Sequence, residues 1–197
     1  MNNPYLLVVT GRPGSGKTTL SRELGKKLCL PVISRDSIKE GYVHTFGRRH
    51  SELPENTNLQ VSRLFYKTIE QLLSANVSLI AEAAFQHKIW ESLLNPLKEK
   101  TRMFILICKV EDKLAHERYI SRGLDDTLRE YFHGDKGVDR ARRGAPLEIS
   151  PYDEPRLDIP TLHIDTTGAY KPSIDELNSM IFGGKFKTSA RGETDGR

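Results

Sequence analysis

The chain has 197 residues, of which 37% are hydrophobic and 28% charged, and its formal net charge is +4. This size suits one compact domain with a single core, and no apolar run approaches the roughly 20 residues that a membrane-spanning helix needs. The N-terminus lacks the basic region and long apolar stretch of a signal peptide. We therefore expect a cytoplasmic protein without a membrane partner, and the oligomeric state stays open.

Five short β-like runs alternate with helix-like stretches along the chain. Four of the runs are almost continuously apolar, as strands buried on both faces of a parallel sheet should be, whereas the fifth alternates and suits a sheet edge. This alternation predicts an α/β fold with helices on both faces of a parallel sheet. The runs are YLLVVT (5–10), LPVIS (30–34), VSLIAE (77–82), RMFILICKV (102–110) and TLHIDT (161–166).

Apolar residues recur at helical spacing between these runs. Leucines stand at every fourth position from 20 to 28, and longer amphipathic patterns cover residues 61–73 and 89–97. Ser173 and Glu176 form the pattern of a capping box ahead of a last helix. We expect one domain over residues 1–182.

Two segments break the pattern. Residues 123–158 are rich in Gly, Pro, Asp and Arg and poor in apolar residues; a loop this long is a lid, a binding loop or a disordered segment. Residues 183–197 are Gly-rich and aperiodic, and we expect a disordered tail. The tail carries four basic and two acidic residues, so half of the net positive charge lies there.

The segment GRPGSGKT (11–18) separates the first strand from the first helix. It fits the phosphate-loop pattern G-x-x-x-x-G-K-[ST], in which glycines let backbone N–H groups surround an anion and the following helix adds its positive end. Lys17 would reach the outer phosphates of a nucleoside triphosphate, and the Thr18 hydroxyl would bind Mg²⁺. The predicted nucleotide-binding residues are Gly11, Arg12, Pro13, Gly14, Ser15, Gly16, Lys17, Thr18 and Thr19.

Four further motifs follow the later strands in order: SRDSIKEGY, LIAEAAF, HERYISR and LDIPTLHIDTT. Together with the phosphate loop they resemble the small P-loop kinases of the AAA-type predicted kinase group, which includes zeta-toxin, chloramphenicol phosphotransferase and polynucleotide kinase. The similarity spans roughly residues 4–182. It implies a P-loop NTPase fold with strand order 2-3-1-4-5 and an Arg-rich lid over residues 123–158 that closes on ATP. It also implies transfer of the γ-phosphoryl group to a hydroxyl.

Two carboxylates follow neighbouring strands, at the edge where α/β sheets bind their ligands. The resemblance places the catalytic aspartate at Asp36, where it would accept the hydroxyl proton. The alternative is an N-cap for a helix that begins near Ser37. Glu82 could hold Mg²⁺ through water, contact the acceptor, or be a solvated charge at a strand end. Which of Asp36 and Glu82 is the base stays open.

Arginines mark the approach to the predicted lid. If residues 112–122 are helical, Leu114, Arg118 and Arg122 share one face. Arg118 and Arg122 could then clamp the transferring phosphoryl group, unless they only form a solvated arginine face. Further lid candidates are Arg140, Arg142 and Arg143.

The phosphate acceptor is not identified by any motif. Arg35 and Lys39 flank Asp36 and could contact an anionic acceptor. A small-molecule hydroxyl acceptor is favoured over a polynucleotide 5′-hydroxyl, because GRRH (47–50) is the sole compact basic cluster outside the lid and tail. A nucleotide-dependent binding module is the third alternative, but it would not need a base such as Asp36.

The remaining special side chains predict ordinary roles. Trp90 stands at helical spacing, which predicts a core residue rather than a side chain on which a nucleotide base stacks. Cys29 and Cys108 lie in apolar surroundings and predict two reduced core cysteines. Three isolated histidines predict polar surface: His44, His87 and His133.

Overall fold

The structure is a computed structural model that describes residues 3–134, 136–144 and 151–183. Five parallel strands form one sheet in the order β2-β3-β1-β4-β5. This is the strand order that the resemblance implied, with the last strand at an edge as its alternating pattern predicted. The strands are β1 (Tyr5–Thr10), β2 (Val32–Ser34), β3 (Leu79–Glu82), β4 (Arg102–Lys109) and β5 (Thr161–Asp165).

Within the described ranges the chain forms eight α-helices and two short 3-10 helices. None of these helices is both long and apolar enough to cross a membrane. The α-helices are α1 (Lys17–Leu28), α2 (Arg35–Phe46), α3 (Thr57–Ser74), α4 (His87–Leu94), α5 (Asp112–Asp125), α6 (Thr127–His133), α7 (Lys136–Arg142) and α8 (Ile174–Phe182). The 3-10 helices are His50–Glu52 and Asn95–Lys100.

The sheet carries a hydrophobic cluster on each face. Leu6 and Val8 of β1 belong to one cluster, and Leu7 and Val9 to the other, because successive side chains of a strand point to opposite faces. Helices α3 and α4 pack on the first cluster, and α1 and α8 on the second. Trp90 is 1% exposed within the first cluster, which confirms its prediction as a core residue.

One of the two cysteines differs from its prediction. Cys108 on β4 is buried, but Cys29 is exposed, and neither forms a disulfide. The prediction of two core cysteines is therefore wrong for Cys29. The helix α1 ends just before it, and Cys29 takes the left-handed conformation (φ 54) that turns the chain toward β2.

Helices occupy much of the segment that the sequence predicted as a long loop. The prediction of a loop from residue 123 is wrong for this part, because α5 continues to Asp125 and α6 and α7 follow. Asp126 accepts hydrogen bonds from the backbone N–H groups of Leu128 (3.0 Å) and Arg129 (3.2 Å) and so caps α6. Residues 135 and 145–150 of the predicted lid, and 184–197 of the predicted tail, lie outside the described residues.

Candidate functional site

The phosphate-loop segment forms the turn between β1 and α1. Gly11 (φ 144), Gly14 (φ 82) and Gly16 (φ 82) have positive φ values, which side chains with a Cβ rarely adopt. Gly14 also lies against α5, where a Cβ would stand 1.9 Å from the carbonyl oxygen of Ala115. The first turn of α1 contains no acidic residue, so its unpaired N–H groups offer donors to an anion.

Lys17 lies buried at this helix end, with 8% of its surface exposed. Its Nζ donates a hydrogen bond to the carbonyl oxygen of Arg12 at 2.9 Å. Burial lowers the pKa of Lys17, although Glu82 and Asp36 act in the opposite direction. A phosphate oxygen would be a charged and therefore stronger acceptor than the Arg12 carbonyl. The guanidinium of Arg12 pairs instead with Asp112 on α5, at 3.1 Å.

Two cavities flank the phosphate loop. The β5 cavity, of about 370 Å³, lies between the loop, α5 and the residues that follow β5. The α2 cavity, of about 490 Å³, lies between the loop, α2, the end of β3 and α6. Most of the predicted site residues line the α2 cavity: Pro13, Gly14, Gly16, Lys17, Thr18, Thr19, Arg35, Asp36, Lys39, Glu82 and Arg122.

Asp36 lies in the first turn of α2 and is not its N-cap. Ser34 occupies the cap position, and its Oγ accepts a hydrogen bond from the backbone N–H of Ser37. The interpretation of Asp36 as a cap is therefore wrong. Half of its side chain is exposed, and it lines the α2 cavity.

Electrostatics keep Asp36 ionised. Burial acts to raise its pKa, but His133, Arg35, Lys17 and Arg129 together hold the pKa below the ordinary value. The carboxylate is thus a hydrogen-bond acceptor throughout the neutral range.

Glu82 differs from Asp36 in both its burial and the direction of its pKa shift. It is 3% exposed, so it is not the solvated charge that one alternative envisaged. Its Oε2 accepts a hydrogen bond from Ser34 Oγ at 2.7 Å, across the paired ends of β2 and β3. Burial raises the pKa of Glu82, while Lys17 and the Ser34 hydrogen bond act to lower it.

The α2 cavity suits Mg²⁺ bound together with a nucleotide. Thr18 and Glu82 both line it, which offers a hydroxyl and a carboxylate oxygen. Among the described residues no cluster of three His, Cys, Asp or Glu side chains could hold a metal on its own. Mg²⁺ commonly binds through one or two carboxylates together with substrate phosphates and water.

The two candidate arginines of α5 occupy different places. Arg118 lines the β5 cavity and donates hydrogen bonds to the carbonyl oxygens of Thr166 (3.2 Å) and Thr167 (2.8 Å). Arg122 lines both cavities. Only Arg122 of the pair is therefore brought beside Lys17 and Asp36. Of the other lid candidates, Arg142 pairs with Glu130 and also donates to the carbonyl oxygen of Gly123.

The histidines divide into three cases. His44 is exposed, as predicted, and His87 is half-buried, with its Nδ1 accepting a hydrogen bond from the backbone N–H of Arg156. His133 is 5% exposed, and the prediction of polar surface is wrong for it. Its Nε2 lies 2.9 Å from Glu40 Oε1, and this contact packs the end of α6 on α2.

Several further residues of the site were missed from the sequence. Tyr152 lies beside the start of the phosphate loop, with its hydroxyl 2.8 Å from Thr10 Oγ1. Most of the missed residues lie outside the motifs quoted above, although Ser34 and Glu40 belong to SRDSIKEGY. For His133 the sequence offered only REYFHG, a short helical pattern followed by a glycine. Other missed residues line the α2 cavity: Arg22, Ser34, Glu40, Asp126, Arg129 and His133.

Comparison with known proteins gives one family and several relatives. A family model described as an AAA domain matches residues 6–137. A cytidylate kinase of Saccharolobus islandicus (strain L.S.2.15 / Lassen #1) is 22% identical over 184 residues, which cover 89% of this chain and 92% of that protein.

Solved structures share the fold over most of the chain. A candidate kinase from Chloroflexus aurantiacus J-10-fl is 27% identical with a TM-score of 0.68, covering 85% of this chain and 90% of that one. The APS kinase of Mycobacterium tuberculosis, solved with AMPPNP and APS, is 17% identical with a TM-score of 0.55, covering 93% and 98%.

Proposed function

This chain belongs to the AAA domain family, and from that premise we propose that it transfers the γ-phosphoryl group of ATP to a hydroxyl of a small-molecule acceptor. One observation carries the proposal. A phosphate-loop lysine, Lys17, and an ionised carboxylate, Asp36, line the same cavity together with Arg122. The structure of APS kinase with AMPPNP supports ATP as the phosphoryl donor.

Each of these side chains has a role in phosphoryl transfer. Asp36 accepts the proton of the acceptor hydroxyl and orients its oxygen for attack. Lys17 and Arg122 stabilise the negative charge on the transferring group, and this charge stabilisation is the larger contribution to catalysis. Thr18 and Glu82 would hold Mg²⁺, which when bound neutralises charge on the phosphates.

A phosphate acceptor is the second candidate, because one relative is a cytidylate kinase. The role of Asp36 separates the two candidates. A phosphate monoester is already ionised near pH 7, so its oxygen needs no general base. A hydroxyl keeps its proton until attack and does need one. A binding module without catalysis would need neither Asp36 nor Arg122 beside Lys17.

The test measures ATP consumption with sugars, nucleosides, nucleotides, antibiotics and oligonucleotides as acceptors, followed by the Asp36→Asn variant. We expect transfer to a hydroxyl to fall about 10²- to 10⁴-fold, which is about 2.7 to 5.4 kcal/mol of barrier. Mg·ATP affinity, measured by calorimetry, should not change. The control Asp175→Asn removes an exposed carboxylate of α8 and should transfer at the parent rate.

Two results would contradict this assignment. If Asp36→Asn transfers to a hydroxyl at the parent rate while Glu82→Gln is inactive, Glu82 is the base. If Asp36→Asn keeps full transfer to a nucleotide phosphate and no hydroxyl is phosphorylated, the second candidate replaces the first.

A further inference from the structure

We propose that the acceptor carries an anionic group in addition to the reacting hydroxyl, and that Arg35, Lys39 and Arg129 bind this group beside Asp36. The inference rests on the proposed function, since it concerns the acceptor of the same cavity. The anion is a carboxylate or a phosphate, because both present charged oxygens to guanidinium and ammonium donors.

Two helices, α2 and α6, bring these cations to one cavity. Arg35 and Lys39 are four residues apart on α2, and Arg129 and His133 are four residues apart on α6. Residues at this spacing share one face of a helix. All four line the α2 cavity, and α2 packs against α6 through the contact of His133 with Glu40.

The two walls carry three carboxylates and three side chains with a fixed positive charge. Glu40 is engaged by His133 Nε2 at 2.9 Å. Asp126 accepts hydrogen bonds from two backbone N–H groups in the first turn of α6. Asp36 loses its negative charge when it accepts the hydroxyl proton, which leaves these two walls with one more positive than negative charge. An anion on the acceptor restores the balance.

Arg35 and Lys39 are already largely withdrawn from water. Arg35 contacts Asp36 at 3.4 Å and Asn58 Oδ1 at 2.9 Å, and within the described part of the chain its buried Nε meets no acceptor. Lys39 is 5% exposed and donates to the carbonyl oxygen of His133 at 2.9 Å. Burying charge is costly unless opposite charge compensates it, so an anion seated here gains strongly from these donors.

Two titrating groups at this end of α2 agree with a positive potential. Burial acts to raise the pKa of Asp36, yet the surrounding cations hold it below the ordinary value. Burial lowers the pKa of His50, and Lys39, His133 and Arg35 lower it further.

The first test measures anion binding while the nucleotide site is filled. Inorganic phosphate is titrated by calorimetry into the protein saturated with Mg·AMPPNP, at ionic strength held constant with chloride. We expect saturable binding to the parent and a loss of about tenfold or more in Arg35→Gln, since the variant loses charge-assisted hydrogen bonds to the anion. The matched control Arg63→Gln removes an exposed arginine of α3 and should bind phosphate as the parent does.

Lys39→Met gives a second variant, with the exposed Lys67→Met as its control. Because Lys39 is buried, the Lys39→Met result counts only if thermal unfolding shows that the variant is folded. If it is not folded, the Arg35→Gln result alone decides. The proposal is overturned if the parent complex shows no saturable phosphate binding, or if Arg35→Gln binds phosphate as tightly as the parent.

The second test compares acceptors with and without an anionic group, gluconate with glucose and cytidine 5′-monophosphate with cytidine. Each product is identified, because transfer to the phosphate of the monophosphate would count for the second candidate and not for the anion site. We expect the anionic member to have the higher kcat/KM, and Arg35→Gln to raise its KM about tenfold with little change in kcat. Faster transfer to the uncharged members would overturn the anion site and leave the kinase proposal intact. ATP consumption with none of the four would count against the kinase proposal, and phosphate binding would still decide the anion site.

Discussion

Asp36 and Glu82 are two carboxylates of one cavity whose pKa values are shifted in opposite directions. Burial acts to raise both, but His133, Arg35 and Lys17 reverse the shift at Asp36, whereas burial prevails at Glu82. A general base must be ionised to work. The two assignments of the base therefore differ in the pH at which activity is lost.

We predict that, as the pH falls, protonation of the base lowers kcat/KM only below pH 3.8, the ordinary pKa of aspartate. The measurement is the pH profile of kcat/KM in the Glu82→Gln variant, where only Asp36 remains, with circular dichroism to confirm folding at each pH. The opposite outcome is that the parent loses activity above pH 4.5, the ordinary pKa of glutamate, and that Glu82→Gln is inactive. That outcome would assign the base to Glu82.

Gly14 gives a second prediction at the residue scale. It has φ 82, and a Cβ there would meet the Ala115 carbonyl oxygen at 1.9 Å. Gly14→Ala should therefore destabilise the fold by about 1 to 3 kcal/mol and weaken Mg·ATP binding. Gly41→Ala is the control, because Gly41 lies inside α2 with open space around it, and it should stabilise by about 0.5 to 1 kcal/mol. Urea unfolding with nucleotide titration measures both, and equal stability of the two variants would contradict the prediction.

At the scale of elements, the sequence predicted what local patterns encode. The sequence predicted the strands and the phosphate loop because an apolar run and a pattern of glycines each extend over only a few neighbouring residues. The helices α6 and α7 were missed because each has only seven residues and lies in a polar, glycine-containing stretch. His133 could not be recognised, since its partner Glu40 stands 93 positions away in the sequence.

The segment 151–159 contains no helix or strand, yet its hydrogen bonds tie it to the site edge of the sheet. The Tyr152 hydroxyl lies 2.8 Å from Thr10 Oγ1 and 3.2 Å from the carbonyl oxygen of Phe85. Because Thr10 ends β1 and the phosphate loop begins at the next residue, this phenol ties the segment to the strand end from which the loop starts.

We predict that Tyr152→Phe costs about 1 to 3 kcal/mol of unfolding free energy, because the buried Phe85 carbonyl oxygen loses the hydroxyl that donates to it. Tyr42→Phe is the matched control. Its hydroxyl donates to Gln60 Oε1 at 3.1 Å on the surface between α2 and α3, and its loss should cost no more than about 1 kcal/mol. Urea unfolding of both variants decides: equal losses would show that the Tyr152 hydroxyl does not anchor the segment.

On the scale of the whole molecule, the site is assembled from most of the chain. The phosphate loop follows β1, Asp36 follows β2, Glu82 ends β3, and the arginines come from α5 and α6. A nucleotide in this position contacts parts that the chain order keeps far apart. Its binding free energy should therefore stabilise the fold as a whole, since a ligand that binds only the folded state shifts the unfolding equilibrium by mass action.

The last prediction measures this coupling. Mg·ATP at a hundred times its dissociation constant should stabilise the parent by about 2.7 kcal/mol, which for a chain of this length raises Tm by about 5 to 11 °C. Lys17→Ala removes the buried ammonium that we propose binds the outer phosphates, and this variant should lose most of the shift. Lys26→Ala, an exposed lysine of the same helix, should keep it. Each of the two variants removes one positive charge from α1, so they differ in which lysine is lost and not in net charge. A full shift in Lys17→Ala would therefore place the nucleotide somewhere other than the phosphate loop.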